Sequence, residues 1–163
     1  MAQKKSSNLN RSLLLQSIFL CEGAGILGSL FTFPSIKTWY ITLLKPSFSP
    51  PNWIFGPIWT TLYALMGIAL FLILTHKKQK RNRHALFVFG IQLLLNILWS
   101  LVFFGGHSIA GGLIAIAALW IFIVLSLIEF ARISKPAGLL LLPYLFWVSF
   151  ASILNLSLYL LNP

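Results

Sequence analysis

For acid–base or metal chemistry the chain offers two carboxylates, Glu22 and Glu129, and three histidines, His76, His84 and His107, all far apart in sequence. No HExxH pair, Gly-rich phosphate loop or nucleophile–base pair occurs, so neither a metal site nor a catalytic constellation is expected. What recurs is tryptophan, tyrosine and side-chain amide at helical spacing. Gln92, Asn96, Trp99 and Phe103 fall at i, i+4, i+7 and i+11. Tyr144, Trp147, Ala151 and Asn155 follow i, i+3, i+7 and i+11, and Trp59, Tyr63, Met66 and Leu70 follow i, i+4, i+7 and i+11. Each set is one stripe of a helix. The chemistry open to such stripes is non-covalent: stacking on indole faces and a few directed hydrogen bonds, which suits a flat, amphipathic organic ligand. For the amides alone, Asn96 and Asn155 above all, bonding between helices is the competing role. Three such stripes together are too bulky to close on one another, so they are read as the lining of a cavity.

The elements that carry these stripes are set by composition. With 58% hydrophobic and 9% charged residues, the chain resolves into five apolar stretches. Residues 12–33, 56–76, 85–105, 109–132 and 137–161 each suffice for a helix across a hydrocarbon core of about 30 Å, which needs roughly 20 residues. The predicted fold is all-α: an integral membrane bundle of five transmembrane helices, one domain over 12–163, preceded by a polar segment, 1–11. Amides and indole N–H groups are costly against lipid tails, which turns all three stripes inward.

The first connection stands apart. Pro34–Phe55 contains Trp39, Tyr40, Lys45 and Trp53 together with Pro34, Pro46, Pro50 and Pro51. Proline excludes a continuous helix there and favours a stiff, extended course after Lys45. A short helical turn fits within Ser35–Leu44. Such a loop is a functional cover or an interfacial anchor, and its prolines favour the cover.

The formal net charge of +10 excludes neither lipid nor nucleic acid by itself. The basic residues sit in short connections between apolar spans, so anionic membrane lipids are the expected partner and nucleic acid is not. Lys4, Lys5 and Arg11 precede the first span, Lys77, Lys78, Lys80, Arg81 and Arg83 follow the second, and Arg132 and Lys135 follow the fourth. That bias predicts a cytoplasmic N-terminus and an external C-terminus. The lone Cys21 lies in a span and permits no disulfide framework. A cleaved signal peptide is not expected, because the first apolar stretch is long and contains Glu22. Glu22, mid-span, is expected to be protonated or to pair with a donor such as Gln92 or a tyrosine. Glu129 is expected to pair locally with Arg132.

These residues resemble the tryptophan-rich sensory protein/translocator protein family, also called the peripheral-type benzodiazepine receptor family. One block is Trp39-Tyr40, Leu44-Lys45-Pro46-Ser47, Pro50-Pro51, Trp53, Phe55-Gly56-Pro57, Trp59, Leu62-Tyr63 and Met66-Gly67. A second is Gln92-Leu93, Leu95-Asn96, Trp99 and Phe103-Phe104-Gly105; a third is Pro143-Tyr144-Leu145, Trp147, Phe150-Ala151 and Leu154-Asn155. The resemblance implies a five-helix bundle, commonly a homodimer, whose pocket is capped by the first loop. It also implies ligands of the porphyrin class (protoporphyrin IX, heme-type tetrapyrroles) and no required cofactor.

By motif, Tyr40, Pro51, Trp59, Gln92, Asn96, Trp147 and Ala151 would contact ligand; the stripes and the loop add Trp39, Trp53, Tyr63, Trp99 and Tyr144. The short termini are similar to bacterial members of the cytoplasmic membrane. Tyr159 lacks the following Lys or Arg of the animal sterol motif, so sterol transport is not implied. A membrane receptor or sensor for porphyrins is the function expected. The alternatives are a transporter of tetrapyrroles or lipids and a light-dependent porphyrin-degrading catalyst using Trp59 and Trp147.

Overall fold

The computed structural model describes residues 2–76 and 79–163, with side chains over 10–76 and 82–163. Of the basic second connection, Lys77 and Lys78 therefore lie outside the described residues. Every regular element among the described residues is helical. They are α1 (Ala2–Lys37), α2 (Phe55–Leu74), α3 (Gln79–Ser100), α4 (Ile109–Ile133), the five-residue α5 (Lys135–Leu139) and α6 (Leu142–Leu161). Five helical segments are long and apolar enough to cross a membrane: Asn10–Lys37, Asn52–Leu74, Asn82–Gly105, Ile109–Ile133 and Lys135–Leu161. Their outward faces are bare hydrocarbon, with Phe19 72%, Ile114 74% and Phe146 70% exposed, which lipid rather than water must cover.

Three local departures shape the bundle. First, α1 continues through Pro34 to Lys37, where the sequence suggested a stop. A proline this close to a helix end forfeits one backbone bond. Thr38 Oγ1 donates to the Pro34 carbonyl at 3.0 Å, and Ser35 Oγ donates across to the Phe104 carbonyl at 2.6 Å. Pro34 thus belongs to the helix and not to the connection.

Second, α3 widens into a π-turn, Leu101–Gly105, in which the Gly106 amide donates to Leu101 O at 2.7 Å. The extra residue per turn brings both Phe103 and Phe104 to the buried side. Third, the last span breaks between α5 and α6, where Pro143 opens the second helix.

The helices close a ring in which α1 packs on α2 and α3, α4 on α3 and α6, and α2 on α5. At Gly67 α2 comes close to the α1 backbone, because a Cβ there would lie 2.5 Å from the Ile18 Cα. Between α1 and the first turn of α2 the chain makes two short 3-10 turns, Tyr40–Thr42 and Asn52–Ile54.

Gly67→Val forces this contact apart and is expected to destabilise the protein by about 1–3 kcal/mol. Gly90 has open space around the position of a Cβ, so Gly90→Ala should leave stability unchanged or slightly raised. Unfolding midpoints in mild detergent distinguish the two.

Candidate functional site

The three stripes meet through a single chain of buried hydrogen bonds. Tyr63 Oη donates to Asn96 Oδ1 at 2.9 Å, and Asn96 Nδ2 donates to Tyr144 Oη at 2.6 Å. Tyr144 Oη then donates to Gln92 Oε1 at 3.0 Å, and Gln92 Nε2 reaches the Met66 sulfur at 3.7 Å. One relay of donors and acceptors thus links α2, α3 and α6. A second amide, Asn155, accepts from Trp99 Nε1 at 3.4 Å and donates to the Ile109 carbonyl at 3.1 Å, tying α6 to α3 and α4. In an apolar bundle these bonds fix rotamers as well as helix spacing.

Beside this relay lies a cavity of about 300 Å³ bounded by α1, α2, α3 and α6. Its α1 wall includes Glu22, Gly25, Ser29 and Phe33; its α2 wall includes Gly56, Trp59, Thr60 and Tyr63. From α3 and its π-turn come Asn96, Trp99, Phe103 and Phe104, and from α6 Ala151 and Leu154.

The aromatic rings form a near-continuous surface. Trp59 and Trp99 have centroids 6.4 Å apart, Trp59 and Tyr63 5.7 Å, and Trp99 stacks on Phe103 at 5.5 Å. Gly25 makes room for this surface, since a Cβ there would meet the Tyr63 ring at 2.5 Å. Ile26 and Phe33 of α1 and Thr60 of α2 line the cavity and are exposed, so it is open on the side bounded by α1 and α2.

The roof is Tyr40, only 4% exposed, with its ring 5.8 Å from Phe104 and 6.4 Å from Phe103. Burial pushes the Tyr40 phenol above its ordinary pKa, so it stays a neutral hydroxyl well into alkaline solution. Lys45 Nζ sits 4.7 Å from the centre of the same ring, a cation–π contact that places a positive charge beside the roof. Asn162 fastens this segment to the end of α6. Its Oδ1 accepts from the Leu44 amide at 2.9 Å and its Nδ2 donates to the Leu44 carbonyl at 3.0 Å.

Of the residues singled out from sequence, Tyr40, Trp59, Tyr63, Asn96, Trp99 and Ala151 line the cavity. Gln92 and Tyr144 do not; they are buried behind it as parts of the relay. Trp147 is set to one side against Phe55 and Phe150, its indole N–H buried with no hydrogen-bond partner. Trp39 stacks on His107 at 4.8 Å and meets Phe103 at 5.4 Å, bracing the roof from outside. Pro51 is exposed, and so is Trp53, at 73%.

Of the two states expected for Glu22, the paired one is not seen: Gln92 and the two buried tyrosines bond one another instead of the carboxyl. Glu129 is paired as expected, accepting from Arg132 Nη1 at 2.7 Å. The sequence reading missed the α1 wall. Its signal was the polar and small residues Glu22, Gly25 and Ser29 on one helical face, which equally well describes close packing.

Five membrane-spanning helices around an aromatic cavity, locked by an amide–tyrosine relay and roofed by the first connection, define an integral membrane protein of the small helical-bundle class. The profile of the TspO/MBR family matches residues 17–160, and the chain belongs to that family. It is 49% identical to the tryptophan-rich protein TspO of Chlorobaculum tepidum over 95% of this chain and all of that protein. Similarity extends to protein CrtK of Rhodobacter capsulatus, 36% identical over 93% of this chain and 95% of that one. The translocator protein of Bos taurus is 34% identical over 80% of this chain and 79% of its own.

Tyr144→Phe removes the central hydroxyl of the relay and strands both Asn96 Nδ2 and Gln92 Oε1. It should cost about 1–3 kcal/mol. Tyr63→Phe strands only Asn96 Oδ1 and should cost less. Denaturation of the two variants side by side in detergent gives the order.

Proposed function

We propose that this protein is a membrane receptor or sensor that binds porphyrins, such as protoporphyrin IX and heme-type tetrapyrroles, and related flat hydrophobic molecules in the aromatic cavity. The observation that carries the reading is the aromatic wall formed by Trp59, Trp99, Tyr63 and Phe103. Such a wall offers broad π faces to a planar ligand while the few polar groups orient it. At about 300 Å³ the cavity is at the small end for ligand sites, so a macrocycle would insert one edge and project through the gap between α1 and α2. Lys45, beside Tyr40, is placed to meet ligand carboxylates at the roof. Names of relatives, "tryptophan-rich sensory protein" and "translocator protein", accord with ligand sensing or movement.

Transport of the same ligands is the second reading, favoured by the sideways opening toward lipid. It requires vectorial porphyrin movement in sealed vesicles. The proposal further includes a homodimer in the bacterial cytoplasmic membrane with its N-terminus inside. The cluster of Lys and Arg before the first span and after the second and fourth supports that orientation. A periplasm-active reporter fused to the C-terminus should then be active, and an inactive one reverses the orientation.

Ala151→Phe fills the cavity, and Trp59→Leu removes its largest aromatic face. Each should weaken protoporphyrin IX binding by roughly tenfold or more, followed by tryptophan quenching of purified protein. Wild-type affinity in both variants would overturn the site.

A further inference from the structure

We propose that Glu22 is a recognition group of the cavity, accepting a charge-assisted hydrogen bond from a protonated amine carried by an otherwise flat, apolar ligand. This rests on the cavity being a ligand site, as read above, and adds the chemistry of one end of that ligand.

Glu22 lies near the middle of the first span and in the cavity wall. No Lys, Arg or His lines that cavity. The hydroxyls around it are engaged with their own helices: Ser29 donates to Ile26 O at 2.7 Å, Thr32 to Gly28 O at 3.1 Å and Thr60 to Gly56 O at 3.1 Å. Tyr63 and Asn96 are held in the relay, each donating to the next member. Among the described residues, therefore, no donor is hydrogen-bonded to the Glu22 carboxyl, whereas Glu129, the other acid of the chain, has Arg132.

A carboxyl group within a membrane span and without a protein partner is either neutral or ionised against a partner from outside the chain, and a protonated amine supplies both the charge and the donor for the second state. The neighbouring surfaces select the sign of that partner. Trp59 and Tyr63 present π faces inclined at 31° to each other, and such faces attract cations. Lys45 places a positive charge beside the roof, away from Glu22. The cavity is thus polarised along its length. A ligand with both groups would turn its carboxylate toward Tyr40 and Lys45 and its amine toward Glu22.

The test uses the full chain in phosphatidylcholine nanodiscs and two probes of equal shape, 1-(aminomethyl)pyrene and the neutral 1-pyrenemethanol, read by energy transfer from tryptophan. The amine is expected to bind about tenfold more tightly than the alcohol, the order of one charge-assisted hydrogen bond. Glu22→Gln should reduce that preference to less than about twofold, and Glu22→Asp should keep part of it. Equal binding of the probes by the wild-type chain overturns the inference without any variant, as does an undiminished preference in Glu22→Gln. Protoporphyrin IX titrated in parallel separates the two proposals. Amine preference without porphyrin binding removes the tetrapyrrole reading alone, and porphyrin binding without amine preference removes the role of Glu22 alone.

Discussion

Satisfaction of buried polar groups without water is the constraint from which this architecture follows. Tyr144 stands at its centre, accepting a hydrogen bond from one amide and donating one to another. Because both ends of the relay are closed, on Tyr63 and on the Met66 sulfur, α2, α3 and α6 are fixed at a spacing set by side-chain length. Aromatic rings line part of the space beside the relay and leave the rest open. α1 contributes no member to the relay. It is held by the close contact at Gly67, by further approaches to Tyr63 at Gly25 and to Ser100 at Gly28, and by Ser35 near its end. The cavity is the volume left between a polar lock and a helix excluded from it.

Much of this was legible from residue spacing. The five spans follow from hydropathy and length, and the inward stripes from the cost of an amide or indole in lipid. Spacing could not separate the residues of a stripe that bond across the bundle from those that face a void. Gln92 and Asn96 sit one turn apart on the same face, yet only Asn96 reaches the cavity. Periodicity gives the angle around a helix, and distance to the next helix is a tertiary property. For the same reason the α1 wall escaped notice, since glycine and serine serve tight contact and open space alike.

Backbone irregularities were less legible still. The π-turn at Leu101–Gly105 leaves no mark in composition, because its cost is met by Phe103 and Phe104 gaining burial together. Where α1 ends beyond Pro34, Thr38 bonds back to the Pro34 carbonyl, whereas the partner of Ser35, the Phe104 carbonyl, comes within reach only through the tertiary fold. Trp147 illustrates the converse. Its position in a stripe is clear, yet its ring packs on Phe55 and Phe150, beside the cavity instead of within its lining.

The paired bonds between Asn162 and the backbone of Leu44 give the roof a mechanical property. Donor and acceptor sit on one amide group, so the two bonds form and break as a unit, like a latch with two positions. Lifting the roof pulls on the last turn of α6, which also carries Leu158 into the roof's aromatic cluster. The roof and the end of α6 are thereby joined into one unit, so neither can shift without the other.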